Sequence, residues 1–273
     1  MWKALKQARS AVGMLNPDEV GRRARQPVRI GLVAFGGAGY AAMEEFLGPA
    51  LEHVYRAGDP GVPDKVDLVL YQQGIACPQD AYVLRFDDPS ATIAEILRDH
   101  EDLELALARQ FAPFRKPVVE GIIHAVSREN AVFAVATALP NLVPSLGELP
   151  WAFGEFASDT AFLTANQVRM AFLIAAACGK KVGYSERAAE ILSIAAGAFG
   201  WRALARELAG KIPFGGGIIP KGAIAYAGTF VVGKGLEHYH HAGAPYTRAQ
   251  REEVYQAAFE RGKAIAEAVR GKL

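Results

Sequence analysis

Residues 34–41 read AFGGAGYA, with the apolar run PVRIGLV directly before them and AMEEFLGPALEHVYR close behind. A strand, a glycine turn and a helix in that order form the usual seat for nucleotide phosphates, because the free amides of a helix start and its dipole favour an anion. A phosphate loop of the form G-x-x-x-x-G-K-[ST] adds a lysine that neutralises the phosphates and a hydroxyl that ligates magnesium. With Gly39 as the second glycine, Ala34 stands at the first glycine, Tyr40 at the lysine and Ala41 at the hydroxyl. Glu44 and Glu45 follow about one turn into the helix and add negative charge. Nucleotide hydrolysis is therefore not expected here. The same stretch fits G-x-G-x-x-[GA] as Gly37-x-Gly39-x-x-Ala42, a dinucleotide pattern that calls for a ribose-binding acid about 20 residues on. The next strand, VDLVLYQQ, ends instead in Tyr71-Gln72-Gln73, and Asp67 opens it at the wrong end. The remaining reading is a tight turn in which strand and helix backbones pack closely. The residues that would hold a nucleotide, if one is held, are Gly36, Gly37, Gly39, Tyr40 and Ala41; no cofactor is expected.

A second feature points the same way. GTPases place D-x-x-G after their next core strand, its aspartate serving the magnesium shell. Tyr71-Gln72-Gln73-Gly74 keeps the glycine and lacks the aspartate, and the guanine-reading N-K-x-D is absent from the whole chain. Losses at several successive motifs are the pattern of a nucleotide fold that has dropped its catalysis.

Other chemistry-bearing residues have plainer readings. Glu237, His238, His240 and His241 cluster in Glu-His-Tyr-His-His, but their spacing does not bring three imidazoles to one helical face, so no metal is expected. Asn166, Gln167 and Arg169 interrupt one apolar helix, and Arg202, Arg206 and Glu207 another. Pairing of an arginine with Glu155, Asp159 or Glu190 is favoured over a ligand site. Lys221 sits between apolar blocks and is placed to snorkel. Ser127, Ser158 and Ser193 lack G-x-S-x-G, so no catalytic residue is assigned. Cys77 and Cys178 stand alone, without metal or redox spacing, which together with the lack of a secretory apolar stretch suggests a cytoplasmic setting.

The elements that must position these residues fall into two styles. From 27 to about 90, PVRIGLVAF, VDLVLYQQ and AYVLRF read as buried strands, and AAMEEFLGPALEHVYRAG reads as a helix between the first two. That order implies parallel pairing in an α/β layer. ATIAEILRDHEDLELALARQF then reads as one amphipathic helix. After Arg115 the pattern is helical and rich in small residues, with candidate helices in 117–139, 158–179, 185–212, 218–238 and 247–271. The expected organisation is a basic amphipathic segment over 1–26, an α/β domain over 27–112 resembling a reduced phosphate-loop or Rossmann-like parallel sheet, and an all-helical domain over 113–273.

With 30 basic and 29 acidic residues, no electrostatic case exists for nucleic acid. The basic N-terminal segment, carrying Trp2, Leu5, Val12, Met14 and Leu15, suits a membrane surface or a docking partner as well as a solvated tail. Apolar blocks such as MAFLIAAACG are about half the roughly 20 residues of a membrane span and read as core helices.

NAVFAVATALPNLVPS, NQVRMAFLIAAACGKKVG, AAGAFGWRALARELAGKIPFGGG and IPKGAIAYAGTFVVGKGLEHYHHAG, in that order, resemble the YcjF-like domain of unknown function over about 117–243. The resemblance implies an all-helical module, often membrane-associated and paired with an Era-like GTPase domain, with no assigned catalytic residues. Here Tyr40, Ala41 and Tyr71 stand where GTPase chemistry needs lysine, serine and aspartate. The expected function is a non-catalytic scaffold or regulator with a protein partner or a second copy of itself, the cytoplasmic membrane face being one candidate place of action. The alternative is a nucleotide- or dinucleotide-binding protein or enzyme that uses the glycine turn.

Overall fold

A computed structural model of the chain describes residues 16–138, 159–194 and 217–271. Among these the fold is mixed α/β and mostly helical, and it divides into two units. One comprises Glu19–Glu120 with Ala176–Lys181, the other Met1–Asp18, Gly121–Ala175 and Val182–Leu273.

The α/β unit opens with most of helix α1 (Pro17–Arg25), from Glu19 on, and strand β1 (Ile30–Val33). Helix α2 (Gly36–Leu47), strands β2 (Val54–Arg56), β3 (Leu68–Gln72) and β4 (Tyr82–Leu84), and helices α3 (Pro89–Asp99) and α4 (Glu104–Gln110) follow. All strand pairs are parallel, in the order β2-β1-β3-β4, with Leu32 opposite Arg56 and Leu70. The chain thus leaves β1 on one side and returns past it to β3. Ile30, Leu32, Leu68, Leu70, Tyr82 and Leu84 line the buried face. They form one cluster with Met43 and Leu47 of α2, Ile93 and Ile96 of α3, and Ala106 and Leu107 of α4. Each such fully buried aliphatic side chain is worth about 1.5–3 kcal/mol, several times a surface ion pair, so this face holds the unit together. Only helix-free connections, 57–67 and 73–81, lead into β3 and β4, so this is a smaller assembly than a full doubly wound sheet.

Two elements differ from expectation. The helix read through to Gly58 stops at Leu47, because Gly48 takes a φ of 95°, open to glycine, and Pro49 follows. Val54-Tyr55-Arg56 then pairs with Ile30-Gly31-Leu32 as an edge strand. The long amphipathic helix is broken into α3 and α4 at His100, the C-cap of α3.

Helix α5 (Ala112–Ala136) begins at the expected domain boundary, residue 112, and the unit division falls further along it, between Glu120 and Gly121. Pro113 sits in the first turn, where amides have no intrahelical acceptor. Arg115 fixes this start: its Nε donates to the carbonyls of Ala108 and Ala177, both at 3.3 Å. A cation on the last carbonyls of a helix also meets the negative end of its dipole.

The helical unit contains the rest of α5, most of α6 (Asp159–Ala177), α7 (Ile218–Ala242) and α8 (Arg248–Arg270). Gly243, in the left-handed region at φ 71°, ends α7, and a Thr247–Gln250 capping box starts α8. The two helices form an antiparallel hairpin at close range. A Cβ on Gly262 would lie 2.9 Å from the Ala223 backbone, and one on Gly222 2.9 Å from the Ala266 Cβ. Tyr226, Ala227, Val231, Tyr255, Ala258 and Ala131 form the adjoining apolar cluster. Among the described residues, no helix is long and apolar enough to cross a membrane. Most of the expected helix over 185–212, with Arg202, Arg206 and Glu207, lies outside the described residues, as do Trp2 and its neighbours.

Candidate functional site

Strand order reverses between β1 and β3, and in open parallel sheets ligands bind beyond the carboxyl ends of the strands at that point. Here the carboxyl ends bring together Phe35, Gly36, Gly37 and Gly39 from the first turn with Gln72 and Gly74 from the end of β3. Only Ala34 and Phe35 separate β1 from α2, so the glycines belong to the first helical turn. A phosphate loop needs those residues to wrap outward as a concave nest of amides.

The glycines have different reasons to be there. Gly36 adopts φ 60°, a backbone that a side chain disfavours. Gly37 has no close neighbour and no positive φ, and a Cβ there would meet open space. Gly39 is buried, and its Cβ would lie 2.3 Å from Gln72 Oε1 and 3.1 Å from the Ala34 Cβ. The same Gln72 oxygen accepts the Phe35 backbone N–H at 2.8 Å. Phe35, the N-cap of α2, has no side-chain cap of its own, so a side chain from the neighbouring strand satisfies this amide. Gly74 takes φ 96°, and a Cβ there would lie 3.7 Å from the exposed Phe35 ring.

Tyr40 and Ala41 do not face a common pocket. Tyr40 packs against the buried cluster, with the Arg56 guanidinium 5.5 Å over its ring, while Ala41 is exposed. Arg56 reaches from β2 to α2 and grips Glu44 with two hydrogen bonds of 2.6 and 2.8 Å. Hydrogen bonding from Arg56 holds the Glu44 carboxyl below its ordinary value. Glu44, expected to repel an anion at the turn, is thus paired with a cation from the edge strand. Asp67 accepts the Arg29 backbone N–H at 2.7 Å, at the opposite end of the sheet.

The interrupting polar residues of α6 form a layer across α5, α6 and α7. Asn166 donates to Asn130 at 2.9 Å, Asn130 donates to Thr229 at 2.7 Å, and Gln167 donates to Thr229 at 3.3 Å. Arg169 pairs with Glu129 at 2.5 Å, a partner on α5 outside the three acids weighed above. Burial pushes the Glu129 carboxyl up, against the opposing pull of Arg169. Lys221 donates to Thr137 at 3.3 Å. The imidazoles near the end of α7 diverge: His240 lies 3.7 Å from Glu190, while the His238 ring lies 4.5 Å from that of Tyr246. Glu237 pairs with Lys234. Among the described residues, no three His, Cys, Asp or Glu side chains gather to hold a metal ion.

Fold and site together define a mixed α/β protein with a small four-stranded parallel sheet, in which Gln72 takes up the Phe35 amide at the glycine turn. Comparison with protein-family models, curated proteins and solved structures found no match.

Proposed function

We propose that this chain is a non-catalytic scaffold or regulatory protein, built on a GTPase-like α/β region without phosphate-binding side chains and on a helical module like the YcjF-like domain. The observation that carries this reading is Gln72, whose carboxamide oxygen accepts the Phe35 N–H and occupies the space beside Gly39. A phosphate drawing on the same amide and the same glycine must displace it, and neither Tyr40 nor Ala41 supplies a charge or a hydroxyl to offset the loss. In this reading the turn shapes a surface, and the work is done by binding a protein partner or a second copy of the chain, with the cytoplasmic face of a membrane as a candidate location.

A second reading, nucleotide or dinucleotide binding through Gly37-x-Gly39-x-x-Ala42, is favoured by one observation. Phe35, Gly36, Gly37 and Ala38 are exposed at an open helix start. Thermal unfolding with Mg·GTP, Mg·ATP or NAD at millimolar concentration separates the two. A ligand present at 100 times its Kd stabilises by about 2.7 kcal/mol, a shift of several degrees. The scaffold reading expects no shift with any of the three, and a reproducible shift with one would replace it by the second.

A further inference from the structure

We propose that Arg261, His124 and Tyr226 form a pH-sensitive clasp that ties α8 to α5 while His124 is neutral and loses its Arg261–His124 link when His124 is protonated. All three belong to the helical unit. Arg261 Nη1 lies 3.2 Å from His124 Nε2, and His124 Nδ1 lies 2.8 Å from the Tyr226 hydroxyl. A guanidinium is always protonated and can only donate. His124 Nε2 must therefore accept, which leaves the proton on Nδ1, where it is donated to Tyr226. The contact fixes both the charge and the tautomer of the imidazole. Protonation puts an N–H on Nε2 facing the N–H of Arg261, so donor meets donor and cation meets cation.

The surroundings decide what such a change reaches. On α5, Glu120 and Arg128 flank His124 by one turn each, the first favouring the imidazolium and the second opposing it. From α7 come Tyr226 and the Phe230 ring, whose centroid is 5.0 Å from that of the imidazole. From α8 comes Arg261, which also hydrogen-bonds the Tyr226 hydroxyl and keeps that contact to α7 when its bond to His124 breaks. The hydrogen bond to Tyr226 survives protonation, because Nδ1 keeps its proton. The Gly262–Ala223 crossing of the α7–α8 hairpin involves no titrating group. Acidification therefore loosens α8 from α5 without dismantling the hairpin.

Two measurements on the full chain test the clasp. Long-range proton–nitrogen NMR at pH 7.5 reads the His124 tautomer directly, and the clasp requires Nδ1–H with an unprotonated Nε2. Hydrogen exchange in α8 is then compared between pH 7.5 and an acidic pH at which the His124 ring signals show protonation, after correction for intrinsic rates. Wild type is expected to lose protection by about threefold or more. His124→Gln, whose amide can accept from Arg261 and donate to Tyr226 at either pH, is expected to show no change. Arg261→Met is expected to be weakly protected at both. An Nε2–H tautomer in wild type, or a pH response in His124→Gln equal to that of wild type, overturns the proposal.

Discussion

Gly39 and Gln72 form one packing unit, although they lie in different elements. Alanine at position 39 would put a methyl 2.3 Å from the Gln72 oxygen and eject the carboxamide from the Phe35 amide. Overpacking and a lost hydrogen bond together predict a destabilisation of about 1–3 kcal/mol for Gly39→Ala. Gly37→Ala, at a site with open space, is expected to be neutral or to stabilise by up to about 1 kcal/mol. Urea unfolding of the two variants side by side checks the contrast; equal destabilisation would contradict the packing. The sequence made Gly39 conspicuous but read Gln72 only as a missing acid. Nothing local marks a glutamine whose bond reaches an amide in another strand's turn. Arg56 escaped for the same reason: its partner Glu44 is legible only once β2 is known to lie beside β1.

At the scale of elements, the polar layer of the helical unit links α5, α6 and α7 through groups that are costly to leave unpaired. Arg169→Met removes the cation beside a half-buried carboxylate and is expected to cost roughly 1–3 kcal/mol, below the range for fully buried pairs. Glu129→Gln should be milder. Because burial raises the Glu129 carboxyl, the folded state binds that proton more tightly than the unfolded chain does. The stability this group contributes is full below the ordinary carboxyl value and is lost as pH rises through the raised one. Wild type should therefore gain on Glu129→Gln as pH falls from neutral through that range, which urea melts at successive pH values can follow. The α7–α8 hairpin predicts more directly: Gly262→Leu drives a side chain into the Ala223 backbone, which cannot yield as a flexible side chain can. The expected loss is about 1–3 kcal/mol or more by thermal unfolding, with no such effect at Gly235, where space is open. The hairpin's two helices were legible as separate stretches over 218–238 and 247–271, although the first runs on to Ala242 before Gly243. The edge strand β2 was not, since three residues carry no period and the preceding apolar run masks the stop at Gly48-Pro49.

For the whole molecule, the sequence indicated a parallel α/β region followed by small-residue helices, because continuous apolar strands and glycine-rich helices leave distinct patterns. It placed the change at the proline-bounded stretch near residue 112, whereas the units divide inside α5. A proline in a first turn looks the same in sequence as a proline in a link, and only the bonds from Arg115 distinguish them. The central proposal is that Gln72, by taking the Phe35 amide and the space beside Gly39, leaves the turn without nucleotide. Native mass spectrometry of the gently purified full chain, before and after addition of Mg·GTP, Mg·ATP or NAD, tests it most directly. The account predicts protein mass without bound nucleotide in every case, for the monomer or for any oligomer. A stoichiometric nucleotide adduct, lost on Gly39→Arg substitution in a chain that still folds, would contradict it and make AFGGAGYA a working, lysine-free cradle.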